Sequence, residues 1–254
     1  MKPPLSGLGV LVTRPTGQAA GLQARLRELG AAPSLFPTLA ILPPTDPPRL
    51  RQRLADALAS LDLAIFVSPT AAEQGLAQVA AWPPGLAAAA VGSGTAEALR
   101  RAGIGQVLAP EAGADSEHLL ALPQLADMRG RRVLIFRGEG GRELLADTLR
   151  TRGASVDYAE CYRRGLPDLD PAPLLQHWQA GGIQAVTVLS SEGLDNLFTL
   201  LGTAGAGLIR ATPLFAPHRR IAEHARALGV ATAIATEPGE PGLLRGLVEY
   251  FADA

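Results

Sequence analysis

The chain repeats itself. Val10-Leu11-Val12-Thr13-Arg14 returns as Val133-Leu134-Ile135-Phe136-Arg137, and 16 residues separate Arg14 from Gly30 just as 16 separate Arg137 from Gly153. Ile65-Phe66-Val67-Ser68 returns as Thr187-Val188-Leu189-Ser190, and the segment 95–103 returns as 221–229. The offsets are 123, 122 and 126 residues in a chain of 254. Three matches in the same order at nearly one offset mark two copies of one unit, so the fold must be one that can be built twice.

The unit alternates short apolar runs with longer segments of helical spacing. Val10-Leu11-Val12 reads as a buried strand, Arg14-Pro15-Thr16-Gly17 as a turn, and Leu22, Leu26 and Leu29 as one helix face that stops at Gly30. Further strands are expected at 64–67, 87–91, 133–136, 186–189, 213–216 and 231–235, each leading into a helix. Repeated βαβ units imply an α/β fold of two similar lobes, each a parallel sheet flanked by helices. Two extended stretches, 37–44 and 158–167, break the rhythm with proline and lack a glycine turn into a helix. Both follow the first β-α-β element of a copy and read as a two-stranded β connector. On that reading, residues 1–37 and 166–254 form a discontinuous first lobe and 38–160 the second. A ligand is then expected in a cleft between the lobes, against strand C-terminal ends and helix N-termini.

Charge and composition remove several function classes. With 23 Lys+Arg against 24 Asp+Glu, the net charge of −1 carries no overall footprint for nucleic acid or an anionic membrane, and any anionic ligand must be held by local charge. Cys161 is the one cysteine, so no internal disulfide is possible. His118, His177, His218 and His224 are scattered without metal-ligand spacing, and no metal site is expected. The first seven residues hold no apolar signal core, and no run is long enough to span a membrane; a soluble, cytoplasmic monomer is expected. Val91-Gly92-Ser93-Gly94-Thr95-Ala96-Glu97 begins like a dinucleotide fingerprint, yet Glu97 stands at its third glycine, where a carboxylate would face a pyrophosphate. The glycines there are better suited to close approach of another ligand.

Several residues sit where chemistry can occur. Thr13 and Arg14 end the first strand, and Arg137, Gly138 and Arg142 occupy the equivalent place in the second copy. An arginine fork there suits a carboxylate or phosphate; its bland alternative is pairing with a neighbouring acid. Ser68, and Ser190 with Ser191, follow strands and open helices, where they cap the helix or stand beside N–H groups that bind anions. Gly92, Ser93 and Thr95 form a third such turn, and His218 with Arg219 a fourth. Tyr162 lies on the second connector, where a phenol facing the cleft can donate to a departing oxygen and otherwise packs on a lobe face. Its neighbour Cys161 should point the opposite way if the segment is a regular strand.

Taken together, Val10-Leu11-Val12-Thr13-Arg14-Pro15, Phe66-Val67-Ser68-Pro69, Ala90-Val91-Gly92-Ser93-Gly94-Thr95-Ala96, Arg137-Gly138-Glu139-Gly140-Gly141-Arg142, Tyr162-Arg163-Arg164 and Pro217-His218-Arg219-Arg220-Ile221-Ala222 resemble the uroporphyrinogen-III synthase family in order and spacing. The resemblance implies catalysis without a cofactor on hydroxymethylbilane, a linear tetrapyrrole with eight carboxylates. Water is lost from the hydroxymethyl end and the macrocycle closes with ring D inverted, through a spiro-pyrrolenine. The family tyrosine that assists loss of the hydroxyl maps onto Tyr162. The substrate-binding positions then fall at Thr13, Arg14, Ser68, Gly92, Ser93, Thr95, Arg137, Gly138, Arg142, Ser190, Ser191, His218 and Arg219. One departure is visible: the family often carries Thr where this chain has Ile221. The competing reading is a two-lobed binding module for an anionic small molecule.

Overall fold

In the computed structural model, which describes residues 3–252, the apolar runs of the repeat become strands that are largely buried on both faces, as parallel sheets covered by helices require. β1 (Gly9–Val12) leads through Pro15 into α1 (Thr16–Glu28), whose Ala19, Leu22 and Leu26 are buried. Gly30, at φ +89°, ends that helix and turns the chain into β2 (Ala32–Leu35). There follow β3 (Ala40–Leu42), α2 (Pro47–Ala57), β4 (Leu63–Phe66), α3 (Pro69–Leu76), β5 (Ala87–Ala90), α4 (Ser93–Arg101), β6 (Val107–Leu108), α5 (Ser116–Leu120), β7 (Arg132–Gly138), α6 (Leu144–Thr151) and β8 (Ser155–Gly165). The chain continues with α7 (Ala172–Gln179), β9 (Ala185–Thr187), α8 (Ser191–Ala211), β10 (Leu214–Ala216), α9 (Arg219–Ala227), β11 (Ala233–Ala235) and α10 (Gly239–Ala252).

These elements build two compact units, one from the residues up to Ala40 together with those from Gly165 onward, the other from Ile41–Arg164. The first holds a sheet ordered β11-β10-β9-β1-β2 and the second a sheet ordered β3-β8-β7-β4-β5-β6. Placing β1 and β2 on β7 and β8, and β9, β10 and β11 on β4, β5 and β6, makes the two orders coincide; β3 is the single addition. Each unit therefore combines the front of one sequence copy with the back of the other.

Alternation along the strands sorts side chains onto two helix-covered faces per sheet. In β4 and β7, Ala64, Phe66, Leu134 and Phe136 pack with α2, α3 and α4, whereas Leu63, Ile65, Val133 and Ile135 pack with α5 and α6. In the other unit, Leu11 and Val186 pack with α8 and α9, while Val10 and Val12 meet α1 and α10. Trp178 is buried as a packing residue, and its indole N–H donates to Thr212 Oγ1 at 3.0 Å.

Two strands carry no clear mark in the sequence. β2 contains Pro33, which a central strand would exclude, but β2 lies at the edge of its sheet, where the missing N–H costs little. β6 is only two residues long. The segments 37–44 and 158–167 are extended, as expected: the first contributes β3 and the second is largely the C-terminal half of β8, β3 and β8 are neighbours in the sheet, and the N-terminal part of β8 pairs in parallel with β7. The 21-residue α8 is interrupted at Gly202, at φ +55°.

Candidate functional site

In each sheet the strand order reverses at one place, between β1 and β9 and between β4 and β7. At such a point neighbouring connections leave toward opposite faces, and a crevice opens at the strand C-termini. Ser68 and the loop 138–143 flank the crevice of one unit; Thr13, Arg14 and Ser190 flank that of the other. Gly92, Ser93 and Thr95 follow β5, and His218 and Arg219 follow β10, so every residue singled out on chemical grounds, except Tyr162 on β8, stands at or just beyond the C-terminal edge of a switch-point strand or its neighbour.

Six helices start at these edges: α1 and α6 follow β1 and β7, and the other four form two equivalent pairs. Ser68 Oγ accepts from Ala71 N at 3.0 Å and Ser190 Oγ from Gly193 N at 2.9 Å, so α3 and α8 are closed by their own hydroxyl caps. α4 and α9 have no side-chain cap: Gly92 and His218 stand at their cap positions, and Ser93, His218 and Arg219 are exposed beside them. Their first N–H groups are open to an anion, as are those of α1 and α6, which also lack a side-chain cap. Gly92 is needed for packing, because a Cβ there would stand 2.8 Å from Ala114 Cβ; its bare face meets the protein's own chain. Thr95 is buried one turn into α4, and Ser191 opens α8 half-buried.

Tyr162 is set by an irregularity in β8. Glu160 pairs with Arg137 and Tyr162 with Gly138, leaving Cys161 as an extra residue in a β-bulge. The bulge brings Tyr162 into the same core cluster as Cys161 and Ala159, correcting the expectation that Cys161 points the opposite way. Tyr162 is 3% exposed, and its ring lies on the bare face of Gly138, where a Cβ would come within 2.7 Å of Cε2 and Cζ. Its hydroxyl makes no hydrogen bond to any described residue. The residue lines a cavity of about 380 Å³ together with Pro44, Arg49, Arg53, Glu139 and Glu160.

Both strand-end arginines turn toward the protein. Arg14 donates from Nη1 to Glu240 Oε2 at 3.1 Å, while its Nε is sealed from solvent with no partner among the described residues. Arg137 is 6% exposed, and its Nε donates to the carbonyls of Gly140 at 2.9 Å and Gly138 at 3.3 Å. Its Nη1 meets Glu143 Oε1 at 2.9 Å, and the guanidinium lies 4.3 Å from the centre of the Tyr158 ring. The open fork expected at Arg137 is therefore spent on its own loop, because Glu143 and two glycine carbonyls reach it first. The Tyr158 hydroxyl donates to Glu143, and this bond, then Arg137, hold the Glu143 carboxyl below its ordinary range. A depressed folded-state value means this anchor contributes above the ordinary carboxylate range and is lost as pH falls through the folded value. Burial, then the Glu143 bond, push the Tyr158 phenol up. Arg142 is exposed and pairs with Glu117 at 3.3 Å. Thr13 is buried and its hydroxyl donates to the Thr187 carbonyl at 2.8 Å, stitching β1 to β9.

The model of the family described as uroporphyrinogen-III synthase HemD matches residues 20–245. The uroporphyrinogen-III synthase of Escherichia coli K12 is 38% identical over 198 residues, covering 76% of this chain and 80% of that protein. The chain belongs to the uroporphyrinogen-III synthase family. A more distant relative of that name, from Synechococcus elongatus, is 32% identical over 209 residues, 79% of this chain and 77% of its own. Two solved structures share the fold. A mutant uroporphyrinogen III synthase from the extremely thermophilic bacterium Thermus thermophilus aligns with 97% of this chain and 100% of its own at TM-score 0.56 and 20% identity. The synthetase from Helicobacter pylori 26695 aligns with 96% and 99% at TM-score 0.58 and 14% identity.

Among the described residues, no group of His, Cys, Asp and Glu could hold a metal, and no helix is long and apolar enough to cross a membrane. Ile221, where the family often carries Thr, is 2% exposed in an apolar cluster with Leu194 and Ala225 and brings no hydroxyl to the α9 N-terminus. Reading the sequence missed Arg49 and Arg53, which α2 presents to the Tyr162 cavity, and the Glu143–Arg137–Tyr158 contact. The spacing of four between Arg49 and Arg53 was the available mark of a shared helix face.

Cys161 makes a direct check on the bulge. Its side chain is fully buried, its thiol lies 3.2 Å from the Arg137 carbonyl, and burial pushes its pKa up to about 12. At pH 8 the native protein is expected to give no reaction with Ellman's reagent, and one thiol per chain after unfolding in guanidinium. Rapid reaction of the native protein would mean that the bulge opens or that Cys161 faces solvent.

Proposed function

We propose that the chain converts hydroxymethylbilane to uroporphyrinogen III, removing water from the hydroxymethyl end and closing the ring with ring D inverted. Family membership supports the activity; the Tyr162 hydroxyl, in a residue 3% exposed yet without a partner among the described residues at a cavity wall, is the observation that supports its site. The phenol donates toward the departing oxygen, and the pyrrole nitrogen pushes its electron pair toward the carbon that loses it. Ring D then attacks through its substituted carbon to form the spiro-pyrrolenine; the bond from that carbon to the methylene shared with ring C breaks, and the methylene recloses on ring D's unsubstituted α-carbon, which loses its proton. Because an electron-rich pyrrole expels hydroxide readily, the protein's main task is to hold the linear chain in the geometry of that attack. The uncapped starts of α4 and α9 with Gly92, Ser93, Thr95, His218 and Arg219 receive substrate carboxylates, aided by exposed Arg142. Thr13, Arg14, Ser68, Arg137, Gly138, Ser190 and Ser191 shape the strand ends around them. The reading includes a monomer working in the cytoplasm without a cofactor.

The test is the isomer formed. Spontaneous closure of hydroxymethylbilane gives the type I macrocycle, so purified protein with this substrate alone is expected to give type III, separated by chromatography after oxidation to the porphyrin. Type I at the spontaneous rate, with protein shown to be folded by circular dichroism, would reject the reading. Binding of the bilane without turnover would leave a binding module in its place.

A further inference from the structure

We infer that Arg137 is a positioning residue for the reaction, holding the loop 138–143 so that Gly138 fixes the Tyr162 phenol; this rests on the reading of Tyr162 as the proton donor. An arginine that is 6% exposed at a sheet's ligand edge is ordinarily aimed at a ligand, yet here its donors return to the backbone just after it. Nε bridges the Gly138 and Gly140 carbonyls, Nη1 takes Glu143, and the Tyr158 ring supports the guanidinium from one face. Gly140 and Gly141 have positive φ, +72° and +123°, and besides the Arg137 contacts this backbone route is held by Gly140 N donating to Glu160 Oε1 at 3.4 Å and by the bond of Glu139 N to β8. The held loop is coupled to the tyrosine at two points. Glu139 N donates to the Tyr162 carbonyl at 2.8 Å, and the Gly138 α-carbon lies under the phenol, so close that a Cβ would come within 3.1 Å of the hydroxyl. A shift of the Gly138 carbonyl therefore moves the floor of the ring and the backbone of the same residue together.

The consequence is a loss in the chemical step rather than in binding. Arg137→Lys keeps a cation near Glu143 but cannot bridge two carbonyls and an acid at once. Its kcat is expected to fall on the order of 10- to 100-fold, the scale of a displacement of about 1 Å, with KM within about twofold of wild type. Glu143→Gln, at a half-exposed position that cannot compromise the core, is expected to lower kcat in the same direction by less. The decisive measurement is the cycle with Tyr162→Phe, each rate read as type III product. If Arg137 acts through the phenol, the double variant Arg137→Lys/Tyr162→Phe is no slower than Tyr162→Phe alone. Multiplying effects, wild-type kcat in Arg137→Lys, or a change confined to KM would overturn the positioning role while leaving the Tyr162 reading in place. Unchanged kcat in Tyr162→Phe itself would remove that reading, and the inference with it.

Discussion

Replacing Phe136 by alanine is expected to lower the unfolding free energy by about 3–5 kcal/mol, the range for deleting a buried aromatic from a core that cannot collapse around the gap. Phe136 is fully buried on β7 and pairs in register with Phe66 on β4; the rings stack at 4.4 Å and 11°, with Trp82 tilted against Phe66 at 6.0 Å. Neighbouring β5 is all alanine and leaves the width these rings fill. α3 approaches so closely that a Cβ at Gly75 would stand 2.6 Å from Phe136 Cδ1, so the helix is seated on the ring. Guanidinium unfolding followed by circular dichroism measures the loss, and Phe136→Leu should recover most of it because volume is largely kept. A loss below about 1 kcal/mol would show that the cluster rearranges freely, contrary to the packing described.

Tyr162→Phe is expected to separate chemistry from stability. Removing the hydroxyl should lower the rate of type III formation by about 100-fold or more, the usual scale for losing a proton donor from the transition state. The unfolding midpoint should move little, because the hydroxyl has no partner among the described residues whose loss would leave a buried group unsatisfied. Counting only the type III isomer excludes the spontaneous reaction from the rate. Full activity in the variant would make Tyr162 a packing residue on Gly138. A large fall in stability would instead point to a hydrogen bond absent from the structure.

The strands and helices were legible to the extent that they carry periodicity. Val10–Val12 and Val133–Phe136 alternate between two covered faces, and the repeat itself implied two sheets of one design. β2 escaped because Pro33 argues against a strand until its edge position is known, and β6 because two residues have no period. The bulge at Cys161 escaped for a related reason: it exists only as a register slip against Arg137 and Gly138, residues 23 or more positions away.

Residue types and their order are local properties, and they were enough to establish an α/β chain in two copies, its lack of metal-ligand spacing, and which residues lie just beyond strand ends. Partnership is not local. Arg14 finds Glu240 across 226 positions, Arg137 is claimed by its own loop, and the Tyr162 hydroxyl is left without a partner among the described residues. Two arginines that look alike in sequence thus face different fates from an open fork, because a guanidinium's role is set by whichever acceptors the packed backbone brings within about 3 Å of it.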